Sequence, residues 1–365
     1  MYNYGASLQE LALVEFLKIN GHEAESIAYK PSYLADVHKL FSCLNPRWSK
    51  NFLTKSAYIS LKLPQRLRLL KRQRKFNIFE NQYIPVTKKS YIDNEKLKKI
   101  KNDADVFVCG SDQIWNPLFP NGKDPAFYLD FVQNSEAVKI SYAASFATDD
   151  IPKENISFVK KHVSNLDFVS VREMSGQRIL NDLGFDKVEQ VLDPVFLLSK
   201  QKWNSYVGDE LETKKYILVY DFDNNQYIKS IAKKLAKRHG LLIIGVNANL
   251  KYVDKNYYLQ GPAEFLSLVK NAELILTTSF HALAFGLIFK RRLGVFNRNI
   301  GINTRMRDML DLVGLSDHLL ESSKNPNLSD FDVDYEIIDK EIEKHVKRSQ
   351  SFLINSINSK SKNGK

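Results

Sequence analysis

Glu273-Leu274-Ile275-Leu276-Thr277-Thr278-Ser279-Phe280-His281 is the stretch that decides the fold. Its apolar half reads as a buried strand, Ser279 stands where a helix N-cap belongs, and Phe280-His281 open an apolar helix. A strand that feeds straight into a helix is half of a βα unit, and the chain repeats the pattern on both sides. Upstream, strand-like runs fall at 105–109, 138–142, 168–171 and 188–192, with helical stretches at 6–19, 155–164 and 175–183. Residues 199–213 read as a polar linker. The pattern then restarts with strands at 216–220 and 241–246, helices at 227–239 and from Pro262, and a strand at 293–296. Such alternation predicts an α/β fold of two Rossmann-like domains with parallel sheets facing a cleft. The expected boundaries are 1–205 for the first domain, 206–334 for the second, and 335–365 for a helix that packs back across both and ends in a frayed tail. The chain opens Met1-Tyr2-Asn3-Tyr4-Gly5 and goes directly into a helix. Doubly wound domains begin with a strand, so a strand preceding residue 1 is expected.

In open parallel sheets, sites form beyond the carboxyl ends of the strands. There the first half delivers Gly110-Ser111-Asp112-Gln113, Ala143-Ala144-Ser145, Arg172-Glu173 and Asp193-Pro194. The second half delivers His281 in a first helical turn, where free N–H groups and the helix dipole favour an anion. That setting suits a histidine that exchanges a proton when a phosphorylated ligand arrives. A histidine packed in a capping turn is the competing reading. His22, His38, His162, His318 and His345 read as surface residues.

Composition narrows the class. The chain has 365 residues, 44% hydrophobic and 26% charged, which suits a globular core rather than disorder. Two cysteines, Cys43 and Cys109, give no disulfide framework and point to a reducing compartment. The longest apolar run, 283–289, is too short to span a bilayer, and no signal-peptide pattern opens the chain. No His/Cys/Asp/Glu spacing suits a metal, and neither GxGxxG nor GxxxxGK[ST] occurs. No metal and no cofactor are expected. The net charge of +11 is concentrated: residues 47–75 hold ten Lys/Arg and no Asp or Glu. Leucines and aromatics interleave through 47–79, and Pro64 is expected to split the segment into two helices. A cationic surface for a membrane or charged glycan carrier is one reading, and a solvated helical face is the other. Nucleic acid is not expected, since no recognition motif accompanies the charge.

Seven pieces in order resemble the polysaccharide pyruvyl transferase family. They are Asn3-Tyr4-Gly5-Ala6-Ser7-Leu8-Gln9, Val108-Cys109-Gly110-Ser111-Asp112-Gln113-Ile114-Trp115-Asn116, Ser141-Tyr142-Ala143-Ala144-Ser145-Phe146, Val169-Ser170-Val171-Arg172-Glu173, Val191-Leu192-Asp193-Pro194, Thr278-Ser279-Phe280-His281 and Asn303-Thr304-Arg305. The resemblance implies an architecture like the two-domain GT-B glycosyltransferases, with the acceptor on the first domain and the donor on the second. It implies transfer of the enolpyruvyl unit of phosphoenolpyruvate onto two hydroxyls of a hexose in a cell-surface polysaccharide or its lipid-linked precursor, releasing phosphate. Capsule or exopolysaccharide synthesis is the implied setting. By the same resemblance Arg172 binds the donor and His281 is the catalytic histidine, with Asp112 or Glu173 orienting the histidine or a sugar hydroxyl. Ser279 stands where many members carry arginine, which shifts phosphate binding onto Arg305, Arg172 and the helix N-terminus. Ser111, Ser145 and Asp193, with Asn3 and Gly5, are expected to line the substrate site. The expected location is cytoplasmic, with peripheral contact at the inner membrane face through 47–75. Two alternatives stay open: a nucleotide-sugar-dependent GT-B glycosyltransferase, and a non-enzymatic glycan- or membrane-surface-binding protein.

Overall fold

The computed structural model describes residues 2–35, 40–43, 45, 47–100, 103–299, 303–320 and 326–359. His38 and the end of the expected frayed tail, 360–365, lie outside the described residues. Two parallel sheets form the frame. The first runs β1 (Val106–Cys109), β2 (Val138–Ala144), β3 (Phe168–Val171) and β4 (Val188–Gln190), in that spatial order. The second holds β5 (Tyr216–Tyr220), β6 (Leu242–Gly245), β7 (Lys255–Asn256), β8 (Leu274–Thr277), β9 (Arg292–Phe296) and β10 (Leu319–Leu320). Its order is β10-β9-β8-β5-β6-β7. Counted within this half, the order is 6-5-4-1-2-3, that of a doubly wound nucleotide-binding sheet. The order reverses between β5 and β8, which pair in parallel from Ile217–Leu274 to Tyr220–Thr277. A crevice belongs beyond their carboxyl ends, and the chain leaving β8 carries Ser279-Phe280-His281 into it.

The strands are short apolar runs because both faces are covered: β5 and β8 are buried at every position. One cluster, which includes Phe107, Cys109, Trp115 and Val171, fills one side of the first sheet. Another, which includes Ile217, Val219 and Leu276, fills one side of the second. The largest cluster runs from Tyr142 and Val191 through Trp203 to Leu283 and Phe285, joining the two halves.

Three helices tie the halves together. The first, Tyr4–Ile19, is capped by Asn3, whose side-chain oxygen accepts from the N–H groups of Gly5 (2.9 Å) and Ala6 (3.3 Å). It is buried on almost every side rather than along one stripe, because both halves pack on it. Tyr4 stacks on Phe265 of the second half at 4.6 Å. The tail helix, Tyr335–Asn358, starts on the second half, where the Tyr335 hydroxyl donates to the Arg291 carbonyl (2.6 Å). It ends on the first, where Ser349 Oγ accepts from the Leu192 N–H (2.9 Å).

The third is the basic segment, and here the structure corrects the sequence. Phe52–Tyr83 is one helix that runs through Pro64. Pro64 removes the N–H that would bond the carbonyl of Ser60, but Ser60 is exposed, so water can satisfy that carbonyl. Nor is the segment a uniformly solvated face. Arg72 is buried, stacks over the Tyr4 ring at 4.3 Å and donates to the Tyr4 hydroxyl (3.1 Å) and the Tyr258 carbonyl (2.5 Å). Lys75 pairs with Glu264. Such a cation–π contact contributes about 0.5–2 kcal/mol.

Two other expectations change. The stretch read as a polar linker contains a short helix, Lys200–Asn204, with Trp203 buried against Phe285. His162 is buried rather than at the surface, with Nδ1 2.8 Å from the Phe158 carbonyl. Among the described residues, no helix is long and apolar enough to cross a membrane.

Candidate active site

The four strand ends of the first sheet converge as the strand-end rule requires. Chain leaving β1 turns at Gly110, with φ +129°, where a Cβ would lie 1.9 Å from the Tyr142 carbonyl oxygen. Only glycine fits there, and the turn delivers Ser111 and Asp112. Ser111 donates from its N–H to Gln9 Oε1 (2.9 Å) and from its hydroxyl to the Ala143 carbonyl (2.8 Å) and Asp193 Oδ2 (3.2 Å). Beyond β2, Ser145 donates to Glu173 Oε1 (2.8 Å), which also accepts from the Ala147 N–H (2.8 Å). Beyond β3 come Arg172 and Glu173, and beyond β4 comes Asp193.

Arg172 is the hub. It is buried, donates from Nη1 to Asp193 Oδ2 (2.5 Å) and from Nη2 to Asp112 Oδ1 (3.4 Å), and lies 4.4 Å from the Phe280 ring centroid. Arg305, in the helix Thr304–Leu312, reaches the same Asp112 oxygen from the second half (3.3 Å). His281 Nε2 lies 3.5 Å from Asp193 Oδ2, an ion-pair distance at the outer limit of a hydrogen bond. Asp193 therefore couples Arg172, Ser111 and His281 across the two halves. The carboxylate beside the imidazole is this one; Asp112 faces the two arginines, and Glu173 is held by Ser145 and Ala147.

Electrostatics follow from the geometry. Burial works to raise the Asp193 carboxyl, but His281 and Arg172 outweigh it and hold it well below the usual carboxylate range. Burial opposes ionisation at Asp112 too, and Arg172, His281 and Arg305 overcome it. Glu173 goes the other way: burial raises it despite Arg172 and its hydrogen bonds. Burial, with Arg172 alongside, brings Arg305 down to about 10. Among the described residues, several buried polar atoms lack a hydrogen-bond partner, and four gather here: Arg172 Nε, Arg305 Nε, Glu173 Oε2 and His281 Nε2. Arg172 Nε and Glu173 Oε2 face each other at 3.8 Å, and His281 Nε2 faces Asp193 Oδ2 at 3.5 Å, ion-pair rather than hydrogen-bond distances, so the cluster keeps polar capacity for ligand atoms.

Asp193, rather than Asp112 or Glu173, is the carboxylate beside His281, and three other expected residues have roles of their own. Asn3 is engaged as a helix cap, as described above. Ser279 occupies the N-cap position without a side-chain capping bond; its own N–H donates to Thr277 Oγ1 (2.8 Å). Gly5 touches the imidazole: a Cβ there would lie 1.9 Å from His281 Nδ1. Residues the sequence did not single out are Phe280, under Arg172, and Asp308. Asp308 lines the cleft with Arg172, Asp193 and Arg305 and accepts from the Ser175 N–H (3.0 Å) at a helix start. An apolar helix start and a mid-helix acid carry no local signal of such contacts.

Comparisons with known proteins give the chain its relatives. Among solved structures it is similar to UDP-GlcNAc 2-epimerase from Methanocaldococcus jannaschii in complex with UDP-GlcNAc and UDP, at 17% identity and TM-score 0.42 over 73% of this chain and 79% of that one. It is also similar to UDP-GlcNAc 2-epimerase from Neisseria meningitidis, at 10% identity and TM-score 0.43 over 99% and 96%. A third is an alpha-glucosyltransferase in complex with UDP, at 10% identity and TM-score 0.45 over 97% and 92%. Comparison with curated proteins gives no match. The family profile described as polysaccharide pyruvyl transferase matches residues 3–299, which include every site residue named above except Arg305 and Asp308. The chain belongs to the polysaccharide pyruvyl transferase family and is a transferase of polysaccharide biosynthesis.

Proposed function

We propose that the protein takes the enolpyruvyl group of phosphoenolpyruvate and sets it as a cyclic ketal on two hydroxyls of a hexose, in a polysaccharide or its lipid-linked precursor. The observation that carries this reading is the convergence of buried Arg172, Arg305 and His281 from both halves around Asp112 and Asp193, with a nitrogen on each that makes no hydrogen bond. Phosphoenolpyruvate presents a carboxylate and a phosphate, which two guanidinium groups and the N-terminus of the His281 helix match. Each charge-assisted hydrogen bond contributes about 1.5–3 kcal/mol.

The chemistry needs one proton delivered and two removed. A proton passes to the methylene carbon, and C2 becomes electrophilic with oxocarbenium character. The first sugar hydroxyl adds to C2 and gives up its proton. The second displaces phosphate at C2, and its proton leaves with the phosphate. His281 delivers the first proton and takes back the one released by the first hydroxyl, so the imidazole ends as it began. Asp193 Oδ2, 3.5 Å from Nε2, holds the imidazole in place. General acid–base help of this kind is worth about 10²–10⁴-fold. Asp112, bound to both arginines, releases them to the donor and remains near a sugar hydroxyl.

A thermal-shift titration tests the binding half of this reading. Phosphoenolpyruvate raises the melting temperature and nucleotide sugars do not. Stabilisation by a nucleotide sugar alone would replace this reading with a glycosyltransferase.

A further inference from the structure

The long basic helix is fastened at one end only. Its buried residues are Arg72, Phe76 and Phe79, all in its second half. Along its length the helix carries large apolar side chains in the open: Phe52 is 81% exposed, Leu53 79%, Leu67 50% and Ile78 56%, with Leu70 also exposed. At about 100° per residue, these five fall within one arc of about 100°. The anchors Arg72, Phe76 and Phe79 fall on the opposite side. Lys55, Lys62 and Arg66 flank the arc on one side, and Lys71 and Arg68 on the other. Arg74 lies within the arc, and Leu61, also exposed, lies outside it. The preceding loop is held to the same helix, since Arg66 donates to the carbonyls of Leu40 (2.7 Å) and Ser42 (2.8 Å) and Trp48 packs on Tyr58. Residues 47–75 include no acid to offset the charge.

We propose that this helix seats on an anionic lipid bilayer, with Phe52, Leu53, Leu67, Leu70 and Ile78 in the headgroup boundary and the flanking Lys55, Lys62, Arg68 and Lys71 on lipid phosphates. An apolar stripe bordered by cations is the pattern that lies in a membrane interface. Charge complementarity chooses the occupant: a second copy would set one acid-free cationic stripe against another, whereas anionic lipid neutralises it. The proposal stands on this helix alone and is independent of the donor chemistry. It has a consequence for placement. The same helix grips Tyr4 through Arg72, and Tyr4 adjoins Gly5, which touches His281. One face of the helix therefore meets lipid while the opposite face supports the site.

Co-sedimentation of the full chain with vesicles tests this. The protein pellets with phosphatidylglycerol-rich vesicles and stays in solution with pure phosphatidylcholine, and binding weakens steeply as salt rises. A variant with Phe52→Ser, Leu53→Ser and Leu67→Ser loses binding at least tenfold, as does one with Lys55→Glu, Lys62→Glu and Arg68→Glu. All six positions are exposed or at the helix surface, so both variants keep the wild-type melting temperature and turnover on a soluble acceptor. No binding to anionic vesicles, or equal binding by the variants, overturns the proposal. So does a wild-type dimer that the apolar variant abolishes, or retention of the basic stripe by an acidic protein in preference to vesicles. Failure here leaves turnover untouched and so is distinct from failure of the transferase reading.

Discussion

Replacing Gly5 by alanine tests how the two halves build one site. The new methyl carbon would lie 1.9 Å from His281 Nδ1 and 2.4 Å from its Cγ and Cε1. Ordinary contact begins near about 3.4 Å, so about 1.5 Å must be found. The backbone of residue 5 is poorly placed to give it. Asn3 caps the helix through the Gly5 N–H, and Tyr4 is clamped between Phe265 and Arg72. The imidazole moves instead, away from its 3.5 Å relation to Asp193. A displacement of about 1 Å at a reacting group costs about 10²-fold in rate. The expected result is a fall in kcat of about 100-fold or more, equal to about 2.7 kcal/mol in the barrier, with donor KM changed only a few-fold. Stability changes less. Alanine gains about 0.5–1 kcal/mol over glycine within a helix, and the overpacking costs about 1–3 kcal/mol. The variant stays folded against a typical stability of about 5–15 kcal/mol. Phosphate release from phosphoenolpyruvate at saturating acceptor, read beside a melting curve, measures both. Adding His281→Asn to Gly5→Ala should cost little beyond His281→Asn alone, because both act through one ring. A folded Gly5→Ala protein with wild-type kcat refutes the reasoning.

Other substitutions separate the remaining roles. His281→Asn leaves the fold intact and lowers ketal formation by about 10²–10⁴-fold or more; full activity in a product assay removes it from the reaction. Arg172→Ala strips Asp193 of its closest cation and destabilises the protein by about 3–5 kcal/mol in chemical denaturation, while raising the donor KM sharply. An unchanged KM takes Arg172 out of the donor site. Glu173 has its native pKa raised, so the stability its protonated form contributes is present below the unfolded value and lost as pH rises through the native one. Glu173→Gln keeps a neutral group there, so its melting temperature should gain on the wild type as pH rises above the unfolded carboxyl value; a pH-independent difference contradicts this. Asp112 and Asp193 have native pKa values held down, so their contribution is lost instead as pH falls.

The βα alternation was readable because buried parallel strands are short apolar runs with polar ends. Thus 168–171 and 216–220 coincide with β3 and β5 to the residue. The strand-end rule also reaches Asp112, Arg172, Asp193 and His281, each of which follows a parallel strand. What could not be read was pairing across long sequence distance. Asp193 and His281 are 88 positions apart, and nothing near either shows that they meet. Gly5 is expected at the substrate site by resemblance alone; nothing local shows that it packs against His281. Arg72 is one of ten cations in its segment, and only Tyr4, 68 positions away, makes it a buried anchor. Pro64 misled because local propensity marks a break, whereas an exposed helix side lets water take the freed carbonyl.

The central claim is that Arg172, Arg305 and His281 act on phosphoenolpyruvate at one site. Single-turnover mass spectrometry with isotopically labelled phosphoenolpyruvate and a panel of aryl and lipid-linked hexosides tests it most directly. The account predicts labelled pyruvate joined to the sugar as a ketal, one phosphate released per ketal, and neither product with His281→Asn. Phosphoenolpyruvate left intact across the panel, with sugar transferred from a nucleotide donor instead, would contradict it.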